Sequence, residues 1–551
     1  MSRMTIDETF AEDTVNSEAE RIVTNQTSKD DSSPNSDIPT IHKRTAIKWL
    51  MLIYFASGVC SLIDEVVWVR LLKLILGNTV YASSIVVSTF MGGLALGAFI
   101  MSRYSDSIRK RLQLYALLET LITISALSLP WALKIVDKAY VWFYRSFDPT
   151  NRVLLVVQII VSGLILLVPS VLMGSTLPLL GRFVTSLEKE TGRLVGRLYT
   201  LNTLGAAVGC FLAGFVLLRL YGVMGTLYTA AVLNLFVAFG GWFLSRSSET
   251  KFEEQNKEVH LTNAQSALSK APNGRLYLLA IAFFLSGAIS IGYELLWMRS
   301  IIHLLSGYTY VFSSVLTVYL LGNVIGAGIG SGLVKGLKCP AKGFAVTLYL
   351  LGICGIFYLP LLIIWTSKVL PDIDREVELA NMIVPFSTYM IKPLAQSAFL
   401  FLLPSIIMGI GFPIALQAWT NHMHKVGRST GMAYSANTIG AVMGGIATGF
   451  ILLPSLGLQI TISLLGLAGI WIAGIIWLLF ARNSGYARRF GFLTAAALLT
   501  VITVKMPSDL FDTIVKSNPM LPEQLEVVAV REGASTTVSL YRDPAEDTLY
   551  L

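Results

Sequence analysis

The sequence predicts an all-α polytopic membrane protein: two homologous six-helix halves, a thirteenth candidate helix and a short C-terminal β-hairpin. Three observations carry this. Hydrophobic residues make up 54% of the 551-residue chain and charged residues 14%, with a mean hydropathy of +0.65, far too apolar for a soluble protein of this length. Twelve stretches each reach the roughly 20 apolar residues that cross a bilayer core as a helix. Blocks from the first six stretches recur in the second six at a nearly constant offset, the mark of an internal duplication.

In chain order, residues 1–45 are polar and rich in Ser, Thr, Asp, Asn and Glu, which reads as a disordered tail. The first half, 46–245, holds spans near 46–66, 80–101, 112–133, 153–174, 197–218 and 224–244. A polar linker covers 246–274. The second half, 275–481, holds spans near 276–297, 310–333, 343–365, 394–415, 431–453 and 456–480. Six spans per half is an even number, so both halves enter from the same side. The repeat is therefore parallel, with a pseudo-two-fold axis along the membrane normal. With the N-terminus in the cytoplasm, the connections on that side carry more than twice the Lys and Arg of the opposite ones, as positive-inside loops require. The net charge of +8 is explained by those loops, and no nucleic-acid partner is expected.

The thirteenth candidate lies within 488–505. Its apolar core, FGFLTAAALLTVITV at 490–504, reaches only about 22 Å as a helix. If it spans, the C-terminal segment lies outside; if it rests in the interface, that segment stays in the cytoplasm. The segment 508–551 is soluble in character, and VVAVREGASTTVSLYRDPAEDTLYL alternates about Gly533 and the Asp543-Pro544 turn as a β-hairpin does.

The repeat is clearest in SGVCSLIDEVVWVR at 57–70 and SGAISIGYELLWMR at 286–299. Glu65 corresponds to Glu294, Trp68 to Trp297 and Arg70 to Arg299, whereas Asp64 faces Tyr293 in the alignment. PSVLMGSTLP at 169–178 matches PSIIMGIGFP at 404–413, and GRLYTLNTLGAAVGCFLAGF at 196–215 matches GMAYSANTIGAVMGGIATGF at 431–450, which pairs Asn202 with Asn437.

An ionisable side chain at membrane depth is expensive and marks a candidate site. Glu65 and Glu294 each share a helix face with a tryptophan three residues on, so Glu65 with Trp68 and Glu294 with Trp297 offer a carboxylate beside a ring, a combination that suits an organic cation. Against this, a count of residues puts both acids near the outer helix ends, where solvation or pairing with Arg70 and Arg299 also accounts for them. Glu119 in the third span aligns with Tyr349; such an asymmetric acid fits a coupling or substrate site, or a structural hydrogen bond. Asn202 and Asn437 read as interhelical hydrogen-bonding groups or as cavity lining. Glycines at four-residue spacing, among them Gly93 and Gly97, Gly205 and Gly209, and Gly322 and Gly326, read as helix-packing stripes. The four cysteines are scattered singly, and His422 with His424 reads as a solvated pair. No phosphate loop, zinc helix or nucleophile elbow occurs, so neither a cofactor nor a resident metal is expected.

The SG…E…W.R blocks, GGLALGAFIMSRYSD at 92–106, PSVLMGSTLPLLGRF at 169–183 and GRLYTLNTLGA at 196–206 together resemble the membrane region of the fused major-facilitator/spermidine-synthase-like proteins. GAFIMSRYSDSIRKR at 97–111 also looks like a degenerate acidic-basic loop of major facilitators, with Asp106 and Arg109 at its charged positions. The resemblance implies a major-facilitator-like parallel repeat in the cell (inner) membrane. It further implies that 508–551 begins an aminopropyltransferase-like domain whose nucleotide loop and amine-binding acids lie past Leu551, in a longer chain or a separate polypeptide. Aminopropyl transfer by this chain alone is not expected. The resemblance implies one of two functions: binding or transport of a small polar or cationic, polyamine-like molecule, or anchorage of an aminopropyltransferase.

Overall fold

The computed structural model describes residues 40–76, 80–105, 107–147, 150–185, 191–252, 274–302, 308–366, 386–420, 426–480, 486–507, 509–516, 526–532, 537–544 and 548–550. The tail before residue 40, the linker from 253 to 273, Asp106, His422, His424 and the Gly533 turn lie outside the described residues. The chain up to Trp49 is a unit of its own, of which only the start of the first helix is described; Leu50–Leu551 forms the second unit.

Among the described residues, twelve helical crossings succeed one another. In the first half these are α1 (Thr40–Leu76), α2 (Val80–Tyr104), α3 (Arg111–Phe147), α4 (Asn151–Thr185), α5 (Thr191–Phe211) and α6 (Leu218–Phe252). The second half repeats them as α7 (Gly274–Ile302), α8 (Tyr308–Leu333), α9 (Pro340–Ile364), α10 (Phe386–Thr420), α11 (Val426–Ile446) and α12 (Leu453–Phe480). Two apolar stretches, Gly196–Arg246 and Tyr434–Phe480, run for 51 and 47 residues. At 1.5 Å per residue each is more than twice the ~30 Å hydrocarbon core, so each contains two crossings. Gly222 and Gly457, with φ of 65° and 75° and ψ near 180°, make the reversals, in a backbone region that only glycine enters without strain. A π-helical turn precedes each: Leu212–Leu217 after α5 and Ala447–Leu452 after α11. Crossing nine is bent by 46° between Ile356 and Tyr358.

Nothing lies within 4 Å of a Cβ built at Gly222, so Gly222→Ala tests the backbone alone. The expected cost is about 1–3 kcal/mol, read as a lower thermal midpoint of the purified protein. A larger side chain at the same place is expected to add little.

The duplication extends to atomic packing. Gly58 lies on the Asn202 carbonyl and Gly287 on that of Asn437. Gly205 and Gly209 lie on Phe55 and Val59, as Gly440 and Gly444 lie on Phe284 and Ala288. Thus α1 packs on α5 as α7 packs on α11. Likewise Gly93 and Gly97 on α2 meet Ser170 and Val171 of α4, and Gly322 and Gly326 on α8 meet Ser405 and Ile406 of α10. The expected glycine stripes are backbone-to-backbone contacts, the form helix association takes where lipid supplies no hydrophobic drive.

Between halves, α2 packs on α11 and α5 on α8. Advancing each helix by six converts the first contact into the second, as a two-fold axis demands. The expected parallel repeat is borne out.

The first span is expected from the sequence to end at residue 66. Instead α1 runs eleven residues beyond Glu65, about 16 Å at the helical rise, carrying Arg70 and Lys73 within it. Similarly, α6 continues to Phe252, into the predicted linker. Basic residues look like the ends of apolar spans, but a helix persists through them while its backbone bonds are made.

Helix α13 (Tyr486–Val504) is the thirteenth candidate. Phe492 stacks on Trp477 near the end of α12 at 5.0 Å between ring centroids, and Leu493 touches Gly474. Beyond the far end of α13, the Pro507 carbonyl accepts a hydrogen bond of 2.5 Å from Gln459 Nε2 near the start of α12. Residues 459–477 of α12 cover about 27 Å, so α13 runs antiparallel to α12 along most of a crossing. It delivers the chain to the face where α9 ends and α12 begins. There α14 (Leu510–Lys516) buries Phe511 and Ile514 in the same apolar cluster as Tyr358, Leu362 and Leu458. Strands β1 (Glu526–Glu532), β2 (Thr537–Asp543) and β3 (Thr548–Tyr550) come next as an antiparallel sheet in the order β1-β2-β3. The expected hairpin is there, extended by a third strand.

Candidate functional site

Glu65 and Glu294 come together. They are 2% and 7% exposed, and Glu294 is near enough to act electrostatically on Glu65. Both act on Cys210 of α5, and Glu294 acts on Tyr319 of α8. Each half thus contributes one carboxylate to a buried centre where α1, α5, α7 and α8 converge. One turn before Glu294, Ser290 Oγ shares a hydrogen bond of 3.0 Å with the Tyr319 hydroxyl. Thr317, near the middle of α8, is buried beside Cys210. The sequence count puts these acids near the outer ends of their helices, where solvation would account for them; the structure instead buries both among neighbouring helices.

Trp68 and Trp297 do not face that centre with an open ring. Trp68 is fully buried and meets Phe90 edge-on at 6.2 Å. Trp297 lies nearly parallel to both Tyr293, at 5.6 Å, and Phe401, at 4.8 Å. A cation over the Trp297 ring would have to displace one of these stacks.

Asn202 and Asn437 sit at the α1–α5 and α7–α11 contacts. Ser286 Oγ of α7 donates to Asn437 Oδ1 at 3.2 Å, the interhelical bond that the sequence suggests as one of two readings.

Glu119 of α3 belongs to a second buried group, within the first half. It is 1% exposed and accepts a hydrogen bond of 2.7 Å at Oε1 from Ser57 Oγ of α1. Asn234 of α6 donates through Nδ2 to the Glu119 carbonyl at 3.0 Å and to Thr123 Oγ1 at 3.1 Å. Asp64, about two turns along α1 from Ser57, is 2% exposed and electrostatically coupled to Glu119. Sequence reasoning notes that Asp64 lacks an acidic counterpart and passes over it, although the same asymmetry singles out Glu119.

At the opposite end of α5 and α11, aromatic rings join the halves. Tyr199 stacks on Phe412 at 5.3 Å, and Phe412 also meets Phe283 and Tyr434. A separate groove of about 820 Å³ opens between α3 and α6, lined by Leu117, Thr120, Phe236, Phe239 and Trp242. It is an apolar outer flank that contains none of the four carboxylates, so it is not where a polar solute would bind. Among the described residues no group of His, Cys, Asp and Glu is arranged to hold a metal.

Fold and site together define a polytopic helical membrane protein of two pseudo-symmetric six-helix halves with carboxylates buried between and within them. No family model and no curated protein matches the chain. Among solved structures, it is similar to two structures of FucP, one described as the E. coli fucose:proton symporter and the other as a Major Facilitator Superfamily transporter in the outward conformation. Each shares 13% identity with a TM-score of 0.44, over 80% of this chain and 98% of the other. The two-half architecture itself is established by the internal repeat and the reciprocal packing of α2 on α11 and α5 on α8.

Proposed function

We propose that the protein carries a small polar or cationic molecule, polyamine-like by sequence resemblance, across the cell (inner) membrane between its two halves. The observation that supports this most is the Glu65–Glu294 pair: one carboxylate from each half, both buried, at equivalent positions about the pseudo-two-fold axis. A purely structural bundle has no need of it, because burying two like charges near each other is unfavourable unless a cation or proton joins them. Rocking of the halves about the central contacts would part the Tyr199–Phe412 stack and expose the pair to one side. Uptake of labelled spermidine into proteoliposomes tests the reading, and a folded, correctly inserted protein that takes up none argues for the anchor instead.

The path of α13 supports a second assignment, concerning sidedness. With the N-terminus cytoplasmic, as the Lys and Arg distribution suggests, α9 ends and α12 begins on the outer face, and the sheet after α14 lies there too. An aminopropyltransferase-like partner would then dock outside. Asp509 is exposed beside α14. In a background lacking the native cysteines, Asp509→Cys is expected to react with an impermeant maleimide on intact spheroplasts; labelling only after lysis reverses the orientation.

A further inference from the structure

We infer that Asp64 and Glu119 form a second binding site, in the first half, where two buried carboxylates enclosed by α1, α3 and α6 take up one exchangeable proton. Three features carry this. First, the Asp64 side chain is buried, the residue being 2% exposed, and its Oδ1 has no hydrogen-bond partner. A buried acceptor left open costs about 1–3 kcal/mol, more for a charged group, and taking up a proton removes one of the two buried charges.

Second, the partners seen at the pair are neutral. The charge acting on Asp64 is that of Glu119, and Glu119 is held by hydrogen-bonding groups, Ser57, Tyr115 and Asn234. The Tyr115 hydroxyl lies beside Glu119 without completing a bond of good geometry. The titratable groups facing the pair are Tyr54 and Cys60 on α1 and Tyr115 on α3, and α6 presents the non-titrating Asn234.

Third, the fold does not require acids there. The second half carries aromatic residues at both equivalent positions. Tyr293, at the position of Asp64, is stacked on Trp297 with its hydroxyl against Gly355 of α9. Tyr349, at the position of Glu119, packs on Phe492 of α13 at 4.5 Å. The equivalent positions are thus uncharged in one half and carry two carboxylates in the other.

With the proton bound, the pair carries one negative charge; on release to water it carries two. Neither state involves the Glu65–Glu294 centre, so the inference stands whether or not the protein carries a solute.

Infrared difference spectroscopy of the lipid-reconstituted protein, stepped through pH, tests it without any transported ligand. The wild type is expected to show a titrating protonated-carboxyl component that E65Q retains and that D64N and E119Q each remove. Ser57→Ala, which takes away one hydrogen bond and no carboxylate, is expected to shift the midpoint of that component while leaving it present. Thermal midpoints near wild type confirm that the variants are folded. Persistence of the component in both single-acid variants overturns the inference. So does a wild-type signal that is flat in pH while sodium ions raise the thermal midpoint, because a metal ion would then be the neutralising group.

Discussion

Converting both Glu65 and Glu294 to glutamine is expected to reduce proteoliposome uptake of spermidine to background, while each single variant retains a measurable fraction. A hydrogen bond to a charged group contributes about 1.5–3 kcal/mol, and every 1.4 kcal/mol is tenfold in affinity. Each carboxylate removed therefore lowers apparent affinity by roughly tenfold to a hundredfold. Because the two acids stand at equivalent positions of the repeat, E65Q and E294Q are expected to weaken uptake to a similar degree. A loss confined to one of them would place the cation site in one half and defeat the shared-centre reading. Glutamine fills nearly the same volume, so the folded state is expected to survive, and the thermal midpoint checks it.

Replacing Gly97 with leucine is expected to destabilise the protein more than any surface change. A side chain there runs into the Val171 carbonyl and the Ser175 amide on α4, which are backbone atoms and cannot rotate away. Overpacking of a tight contact costs about 1–3 kcal/mol, occasionally more, and this contact belongs at the upper end because two helices must separate to relieve it. Gly326→Leu meets the Ile406 carbonyl and the Ile410 amide in the second half, and is expected to lower the thermal midpoint by a similar amount. Gly328→Leu is the control, since nothing lies within 4 Å of it and its helix face is exposed. Equal behaviour of all three variants would show that the stripes are not the contact that joins α2 to α4 and α8 to α10.

Much of this is legible in the residues. Apolar spans of membrane length, the polar linker and the matched blocks fix twelve crossings and their parallel symmetry, because a bilayer imposes a length and a hydropathy that single residues report directly. The glycine stripes are legible for the same reason: spacing of four keeps them on one helix face. The reversals at Gly222 and Gly457 emerge only from the backbone, although the two glycines stand at the offset that relates the repeated blocks, a signal the alignment contains.

Burial depended on the fold. Arg70 and Lys73 make the end of α1 look like an interface and move Glu65 outward, whereas the helix continues and its neighbours enclose the acid. Trp68 and Trp297 share a face with the acids in one dimension, yet aromatic neighbours from α2 and α10 occupy their rings. Asp64 is an acid inside an apolar span, but nothing local links it to Glu119 on α3, 55 residues away.

By itself, then, the sequence determined how many times the chain crosses the membrane, that it does so as a duplicated unit, and which residue types are too costly to bury without purpose. Hydropathy and periodicity are local properties, and a repeat is visible wherever it is copied. The tertiary structure alone decided which acids come within electrostatic reach of one another: Glu65 and Glu294, and Asp64 and Glu119 inside the first half. It also decided that α13 runs back along α12. Those outcomes depend on which helix faces approach one another, and that is set by side-chain packing between segments far apart in the chain.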